Sequence, residues 1–575
     1  TSGDQLLHTP LLVMEPENGI LTGAVDYKQR PAIRSKHGRW KAALFIIVVE
    51  MAERIAYYGA SANLIIFLTE KLGQSTAKAA ANVNAWFGVG TLLAIVGAVV
   101  ADSFLGKYYT ILAATILYTS GLGLLTLSAI LPSLDCNNRK NSTGSTSGCS
   151  PHLQAIIFFV ALYLVAIGQG GHKPCVQAFG ADQFDGQDPE ESKAKSSFFN
   201  WWYFGTCIGG IVGVAVLSYV QDNLSWGLGF GIPCIILAVA LLIFLLGTMT
   251  YRYISKGGGE SPFKRIGRVF VAAAKNWRAS RSPLRDNEDS QGTHSYPGSQ
   301  HFRFLDKAML VADFPPPGQK ACSKEEVEEA KAMLRLIPIW AASLIFAIVF
   351  SQQGTFFIKQ GVTLDRSIGR KFTIPAASLQ AFTGICIAVF IPIYDRVFVP
   401  IVRAFTGKPA GITMLQRIGT GLCISIVCMV VAAAIEKKRL KTAWEHGLID
   451  LPKATIPMSI WWLVPQFVLF GIAEAFTMVG LQEFFYDQVP NELRSVGLSL
   501  YLSIFGIGSL LSSILVSIID KATRGRGQES WFSNNLNRAH LDYFYWLLAG
   551  LSATALALFI CCAKSYIYNK KNTRI

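Results

Sequence analysis

The chain has 575 residues, of which 51% are hydrophobic and only 15% are charged. A soluble chain of this length would carry more charge and divide into several domains, so the composition excludes an ordinary soluble protein. The apolar residues come in blocks of about 20 or more, long enough to span a lipid bilayer as helices. We therefore predict an all-α polytopic membrane protein. Its net charge of +15 does not indicate a nucleic-acid partner, because the basic residues collect in particular loops.

About twelve apolar segments are long enough to cross the membrane, and they form two groups of six. The predicted spans lie at roughly 41–69, 82–102, 108–131, 153–178, 199–219 and 228–250, then at roughly 335–358, 376–399, 412–435, 459–486, 495–519 and 542–564. They predict a cytosolic N-terminal segment (1–40), a six-helix bundle (41–250), a cytosolic linker (251–333), a second six-helix bundle (334–565) and a cytosolic tail (566–575).

Lysine and arginine are concentrated before the first span, in the linker and in the C-terminal tail. An even number of spans places all three on one side, and the positive-inside rule makes that side the cytosol. Both termini are therefore predicted to be cytosolic, at either the plasma membrane or the vacuolar membrane. Within the linker, SPFKRIGRVFVAAAKNW (261–277) predicts an interfacial helix along the cytosolic membrane surface. Ser323 to Glu326 predicts a capping box that opens the next helix.

The loop after the third span faces away from the cytosol in this topology. It reads LDCNNRKNSTGSTSGCSP, with Cys136 and Cys149 on either side of a glycosylation sequon at Asn141. Two cysteines in one short non-cytosolic loop favour a disulfide, and two free thiols are the alternative. The remaining cysteines show no metal-ligand spacing, and we expect no metal site.

The first span contains Glu50, Glu53 and Arg54, which fall on one side of a helix. Ionisable groups in a span are costly unless they face each other or a wet cavity. One alternative is a cluster that only locks helices together, but here one acid exceeds the bases, as a proton carrier requires. Lys173 in the fourth span and Glu474 in the tenth complete a set drawn from both halves, which favours a central transport cavity. His172, beside Lys173, is expected to be a packing or interfacial residue.

Several motifs resemble a known family. GAVVADSFLGKYYTI (97–111) resembles the loop between the second and third helices of proton-coupled oligopeptide transporters, which belong to the major facilitator superfamily. EMAER followed by YYG (50–59) resembles their ExxER motif. FGADQFD (179–185), FFNWWYFG (198–205) and TLDRSIG (363–369) resemble the plant nitrate and peptide transporter family, and the chain is most similar to its fifth subfamily. The resemblance covers nearly the whole chain.

This resemblance implies a major facilitator fold in which two six-helix bundles rock around a central site. Proton entry down its gradient would drive the uptake of a small-molecule substrate, with no other cofactor. By resemblance, Glu50 and Glu53 handle the proton, and Arg54 and Lys173 release them or hold an anionic group. Glu474 matches the acid that binds the amino terminus of peptides.

Departures from the family pattern bear on the cargo. Cys207 and Gln380 stand where peptide carriers often have asparagines, and Ser61 stands where bacterial carriers have an arginine for the peptide carboxylate. Peptides are therefore less favoured. Phe350 stands where one nitrate transporter that the family includes has its nitrate-binding histidine, and phenylalanine cannot donate a hydrogen bond. The side chains that could line an aromatic pocket for a larger amphipathic molecule are Tyr57, Tyr58, Trp86, Trp201, Phe346, Phe350, Phe356, Phe357, Gln352 and Gln353.

The leading hypothesis is a proton-coupled symporter for a small organic solute such as a plant metabolite or hormone. The alternatives are a nitrate transporter or sensor, a di- or tripeptide symporter, and an uncoupled facilitator. An enzyme is not expected, since the P-loop, GxSxG and HExxH motifs are missing from the sequence. Thr110 in KYYT lies where one nitrate transporter of the family carries a regulatory phosphothreonine, so a regulatory kinase is a further expected partner.

Overall fold

A computed structural model of the chain describes most of its residues, and the structural statements below refer to these. They are 20–139, 151–185, 188–254, 262–277, 302–309, 322–369, 372–406, 412–490, 493–525 and 529–566. Asn141 and Cys149 lie outside the described residues, as does the side chain of Cys136. The disulfide and the glycosylation site therefore stay predictions.

Twelve long helices run through the described residues, and each overlaps one predicted span. They are α1 Arg39–Ser61, α2 Thr76–Leu105, α3 Lys107–Arg139, α4 Pro151–Ala181, α5 Pro189–Asn223, α6 Trp226–Met249, α7 Lys324–Phe350, α8 Ala376–Phe405, α9 Met414–Glu445, α10 Ile460–Asp487, α11 Arg494–Thr523 and α12 Leu541–Ser565. Eleven are long and apolar enough to cross a membrane. The twelfth, α1, carries Glu50, Glu53 and Arg54 together at its centre and so exceeds the charge that an ordinary span tolerates.

Local sequence signals set several helix starts. The predicted capping box is confirmed at α7, where the side chain of Ser323 accepts from the Glu326 N–H and Glu326 bonds back to the Ser323 backbone. Asp188 caps α5, and the backbone N–H groups of Glu191 and Glu190 hold the pKa of its carboxyl below the usual value. At its other end, α7 stops at Phe350 rather than near residue 358. Residues 351–355 form turns before a short helix at Phe356–Val362.

Small β-sheets and a linker helix accompany the twelve long helices. Strands β1 (Ile20–Val25), β2 (Pro31–Ile33) and β3 (Tyr253–Ile254) form an antiparallel sheet that ties the N-terminal segment to the end of α6. Strand β4 (Leu364–Asp365) pairs with β7 (Ile456–Ser459), and β5 (Ser367–Ile368) pairs with β6 (Phe372–Thr373). The predicted linker helix is present at Pro262–Lys275, and Arg265 pairs with Glu329 of α7 at 2.9 Å. Its buried Val269 and Ala273 pack against protein, so part of the apolar face is not available to lipid.

Close packing of small residues joins the two bundles. Helix α2 packs along α11, and α5 packs on α8. Gly88 of α2 lies so close to Gly506 of α11 that a Cβ would press on the Gly506 carbonyl. One turn away, Asn84 Nδ2 donates to Ser512 Oγ at 3.0 Å. Gly88 of the second span therefore serves close helix packing.

Polar contacts tie the bundles together at the ends farthest from the termini. Asp222, at the end of α5, pairs with Arg366 at 3.3 Å and accepts from Asn63 at 2.7 Å. The Lys359 ammonium donates to Thr69 Oγ1 at 3.2 Å across the same boundary. Under the predicted topology these contacts lie on the non-cytosolic side.

We expect Gly97→Ala to lower the thermal unfolding midpoint of the purified protein. A Cβ at Gly97 of α2 would overlap the backbone of Gly170 and Gly171 of α4, where neither partner is a flexible side chain. Overpacking of this kind costs about 1–3 kcal/mol. Gly550→Ala is the matched control, because Gly550 is exposed on α12 with open space around it. Equal midpoints for the two variants would contradict close α2–α4 packing.

Candidate functional site

The charged cluster predicted in α1 is present and buried. Glu50, Glu53 and Arg54 are 1%, 0% and 6% exposed. Arg54 Nε lies 2.9 Å from Glu50 Oε1 and 2.8 Å from Glu53 Oε2. One guanidinium group therefore serves two carboxylates, and Glu50 Oε2 and both Glu53 oxygens have no hydrogen-bond partner in the described structure. Such under-satisfied buried acids are costly, so the cluster is poised to accept a proton or a further cation.

The local sequence explains how α1 holds these long side chains. Their spacing of three and four residues puts them on one helical face, and the intervening Ala52 and Ala56 are small and buried. Gly209 of α5 lies against the backbone of Met51 and the Cβ of Arg54, so α5 can approach closely. Helix α1 thus packs between α5 and α6, and this packing excludes water from its charged face.

Two residues of α4 lie beside this cluster. Lys173 is close enough to Glu50 and Glu53 to interact electrostatically with both. A ring nitrogen of His172 and one oxygen each of Glu50 and Glu53 lie within 4.8 Å of one another. Oxygen and imidazole donors at this separation could hold a metal ion, but the Arg54 guanidinium already lies against both carboxylates. We therefore do not assign a metal centre here.

A cavity of about 340 Å³ lies between the two bundles, next to the cluster. Its wall is formed from both halves of the chain by Tyr57, Tyr58, Ser61, Val83, Asn84, Trp86, Phe87, Tyr203, Thr206, Cys207, Gly210, Ile211, Val214, Phe350, Ser351, Gln353, Gly354, Gln380, Ala381, Thr383, Gly384, Ile387 and Glu474. The volume suits a small ligand, and the wall is mostly apolar with a few polar groups. Glu474 is half-buried and is the single carboxylate among these residues.

Among the residues that the sequence suggested for substrate binding, those that line the cavity include Tyr57, Tyr58, Cys207, Phe350, Gln353, Gln380 and Glu474. Gln380 also donates to the Ala62 carbonyl at 3.0 Å, so its amide bridges the bundles. The ring of Phe350 packs between Phe87 and Phe505 at centroid distances of 5.6 and 5.4 Å. The turns after α7 bring Gln353 to the wall, as expected where a broken helix borders a cavity.

Aromatic rings connect the buried cluster to the cavity. The Arg54 guanidinium carbon lies 6.0 Å from the centre of the Tyr57 ring. Tyr57 stacks at 6.0 Å on Trp86, whose indole N–H donates to the Leu162 carbonyl of α4 at 2.8 Å. A ligand that touches Tyr57 is therefore one ring away from Arg54.

Some predicted positions lie elsewhere. Lys173 is not among the described cavity-lining residues and belongs to the charged cluster instead. Trp201 packs edge-on against Phe204 outside this wall, and Phe356 stacks on Phe532 in the core. Thr110 is buried, and its hydroxyl donates to the Gly106 carbonyl at 2.9 Å. A kinase could reach this hydroxyl only after the local structure opened.

Sequence reasoning did not assign to the site several residues that the tertiary structure brings there, among them Asn84, Tyr203 and His172, of which His172 was expected only to pack. Asn84 and Tyr203 line the cavity, and His172 faces the charged cluster. Gln169 and His172 are three residues apart on α4, and Gln169 lies beside Tyr57. That spacing could have indicated that one polar face of α4 meets α1.

Comparison with known proteins identifies the chain's relatives. A family model described as the POT family matches residues 108–532. The chain belongs to the POT family. The Arabidopsis thaliana protein NRT1/PTR FAMILY 5.10 is 60% identical over 561 residues, covering 98% of this chain and 99% of that protein. NRT1/PTR FAMILY 5.12 from the same plant is 55% identical, covering 95% of this chain and 96% of that protein. Both names agree with the fifth subfamily of the plant group.

Solved structures confirm that this POT-family chain has the major facilitator fold. A structure described as an auto-inhibited POT family peptide transporter has a TM-score of 0.68 and 21% identity, covering 92% of this chain and 99% of that chain. A POT family transporter in complex with 5-aminolevulinic acid has a TM-score of 0.60 and 15% identity, covering 91% of this chain and 96% of that chain. The family is one of membrane transporters, and this chain is therefore a transporter.

Within this POT-family cluster, we expect Arg54→Gln to destabilise the protein more than Glu53→Gln does. Removing Arg54 leaves two buried carboxylates without their shared partner, and breaking a buried ion pair typically costs about 3–5 kcal/mol. Glu53→Gln removes one acid and leaves the Arg54–Glu50 pair in place. Thermal unfolding of both purified variants would measure the difference. A smaller loss for Arg54→Gln would show that the guanidinium is not the neutralising group.

Proposed function

We propose that the protein is a proton-coupled symporter that moves a small organic solute by alternating access between its two bundles. The observation that carries this proposal is the buried Glu50–Glu53–Arg54 cluster, which meets the cavity wall at Tyr57. A proton on one carboxyl would free Arg54 from that acid. The freed guanidinium could then act on the cavity through Tyr57, which links protonation to the binding of solute.

The charges of the cluster support coupling to an anionic group. Glu50 and Glu53 formally balance Arg54 and Lys173, so the empty, unprotonated cluster is close to neutral. One added proton leaves an excess positive charge in a poorly hydrated region. An anionic group on the solute would compensate that charge, which favours binding proton and solute together.

We place the protein at the plasma membrane or the vacuolar membrane, with both termini in the cytosol, from the positions of its basic segments.

Glu53→Gln should abolish proton-driven accumulation while the protein still folds and reaches the membrane. Glutamine keeps the size of the side chain but cannot take up and release a proton. Uptake into proteoliposomes is measured with and without an acid-outside pH gradient. Each uptake rate is divided by the rate of solute counterflow in the same preparation. Glu445→Gln is a control, because Glu445 lies at the end of α9, away from the cluster. A wild-type dependence on acid in the Glu53 variant would show that Glu53 is not the coupling residue.

The cavity favours an amphipathic anion or zwitterion as cargo. Glu474 makes no ion pair with a described residue and lies near Tyr58 and Tyr203. It is therefore free to bind an ammonium group of the solute. The apolar wall can bury the body of such a molecule, and Ser61, Cys207 and the engaged amide of Gln380 offer little to the ends of a peptide. Phe350 offers no hydrogen-bond donor to nitrate.

An uptake panel at acidic and neutral pH tests this ranking. The probes are 5-aminolevulinic acid as a small zwitterion, a dipeptide, and nitrate. Stronger acid-stimulated uptake of the zwitterion is expected, because its ammonium group matches Glu474 and its carboxylate compensates the excess positive charge of the protonated cluster behind Tyr57. Preferred uptake of the dipeptide or of nitrate would overturn the ranking. Transport that is equal at both pH values would favour an uncoupled facilitator.

Phe350→His should raise nitrate transport and lower transport of the organic solute. The imidazole adds a hydrogen-bond donor at the wall and removes apolar surface that packs with Phe87 and Phe505. Phe350→Leu is the matched control, since it removes the ring without adding a donor. The comparison requires nitrate and 5-aminolevulinic acid uptake by all three proteins under one pH gradient. A gain of nitrate transport in the leucine variant as well would attribute the effect to space rather than to the donor.

A further inference from the structure

His172 of α4 is buried without any hydrogen-bond partner. Its side chain is 0% exposed, and neither ring nitrogen has a partner among the described residues. A neutral imidazole has one N–H donor and one acceptor nitrogen, and burying both without partners is unfavourable. Packing alone would be served equally well by an apolar side chain. The position therefore calls for another explanation.

The groups near His172 indicate the residues with which it could exchange a proton. One of its ring nitrogens lies within 4.8 Å of carboxylate oxygens of both Glu50 and Glu53. That gap can be closed by a small side-chain rotation or bridged by one water molecule. The cavity wall does not include His172, so the ring faces the cluster rather than the solute.

The charged and titratable groups around this ring come from several packed helices. Helix α1 contributes Glu50, Glu53 and Arg54, and Arg54 acts on His172 electrostatically. Helix α4 itself contributes Lys173, which acts on the same two acids. Helix α3 contributes Tyr118, whose buried hydroxyl has no hydrogen-bond partner in the described structure. Asp102 of α2 interacts instead with Lys107 and Asp182, beyond His172 at the C-terminal end of α4. The carboxylates of α1 are thus the acids that share a site with His172.

We propose that His172 is a proton-exchanging member of the coupling cluster, which receives the proton from a protonated glutamic acid of α1. This assignment rests on the proposed proton coupling and adds a carrier to it. The residue keeps the proton inside the cluster while Arg54 returns to the carboxylates.

The transfer balances without any other reactant. A carboxylate oxygen of Glu53 first binds a proton, and its contact with Arg54 is released. The carboxyl O–H then donates to the free nitrogen of His172; the O–H bond breaks and an N–H bond forms. Glu53 becomes a carboxylate again and can pair with Arg54, while the imidazolium carries the positive charge. Water on the opposite side would take the proton from the imidazolium when the cluster is exposed there.

Protonation can be measured directly, without knowing the solute. The full-length protein, purified and placed in liposomes, is titrated with infrared difference spectroscopy, which reports carboxyl and imidazolium bands separately. His172→Gln should remove one imidazolium signal and move the midpoint of the carboxyl band by about one pH unit, as expected for coupled sites. His446→Gln is the matched control, because His446 is exposed at the end of α9, far from the cluster. It should leave the carboxyl midpoint unchanged.

A second variant keeps the result decisive if His172→Gln does not fold. Glu53→Gln leaves His172 in place, and it should move the titration of one imidazolium band that is also present in His446→Gln. An imidazolium band insensitive to Glu53→Gln, or a carboxyl midpoint insensitive to His172→Gln, would overturn the proposal.

A transport measurement then tests this inference separately from the proposed function. In proteoliposomes with 5-aminolevulinic acid and nitrate as probes, the ratio of gradient-driven uptake to counterflow should fall at least roughly tenfold in His172→Gln. An unchanged ratio would contradict the proposal. If the wild type shows no gradient-driven uptake of either probe, the proposed coupling fails with these solutes, and the infrared titration still decides the role of His172.

Discussion

One guanidinium group shared by two buried carboxylates is the constraint on which the rest of the structure depends. Arg54 lies within 3 Å of an oxygen of both Glu50 and Glu53, in a helix that must otherwise tolerate the membrane interior. Neither the Arg54–Glu50 pair nor the Arg54–Glu53 pair can have ideal geometry, because one guanidinium group serves two carboxylates. The cluster is stable only while it stays closed to lipid, which requires α5 and α6 to pack tightly on α1. The stability of the charged site inside the bundle therefore depends directly on helix packing.

Glycine packing provides that closeness and also leaves room for movement. Gly209 lets α5 approach Arg54, and Gly88 and Gly506 let the two bundles meet along α2 and α11. Contacts between small residues bury backbone against backbone, with few interlocked side chains to resist a change of angle. The polar contacts at one end, such as Asp222 with Arg366, are compact and separable. Such an interface suits two bodies that rock about a central cavity.

The cavity and the cluster are adjacent but chemically distinct. The wall is largely apolar and aromatic, with Glu474 as its carboxylate, whereas the opposing charges lie behind Tyr57. In the proposed mechanism, solute and proton would therefore occupy neighbouring sites rather than one shared site. The stack of Tyr57 on Trp86 is the physical contact between them, because it touches Arg54 on one side and the cavity on the other. Coupling requires only that the position of Arg54 differ between protonated and unprotonated states.

The sequence by itself determined the twelve helices and the capping box at Ser323, because apolar length and local hydrogen bonding are properties of short segments. It also placed Glu50, Glu53 and Arg54 on one face, since helical spacing alone brings them together. Only the tertiary structure decided that α7 breaks after Phe350, that Lys173 joins the cluster rather than the cavity, and that His172 faces two acids from another helix. These facts depend on how helices far apart in sequence rotate against each other, and that rotation is set by packing, which no local pattern encodes.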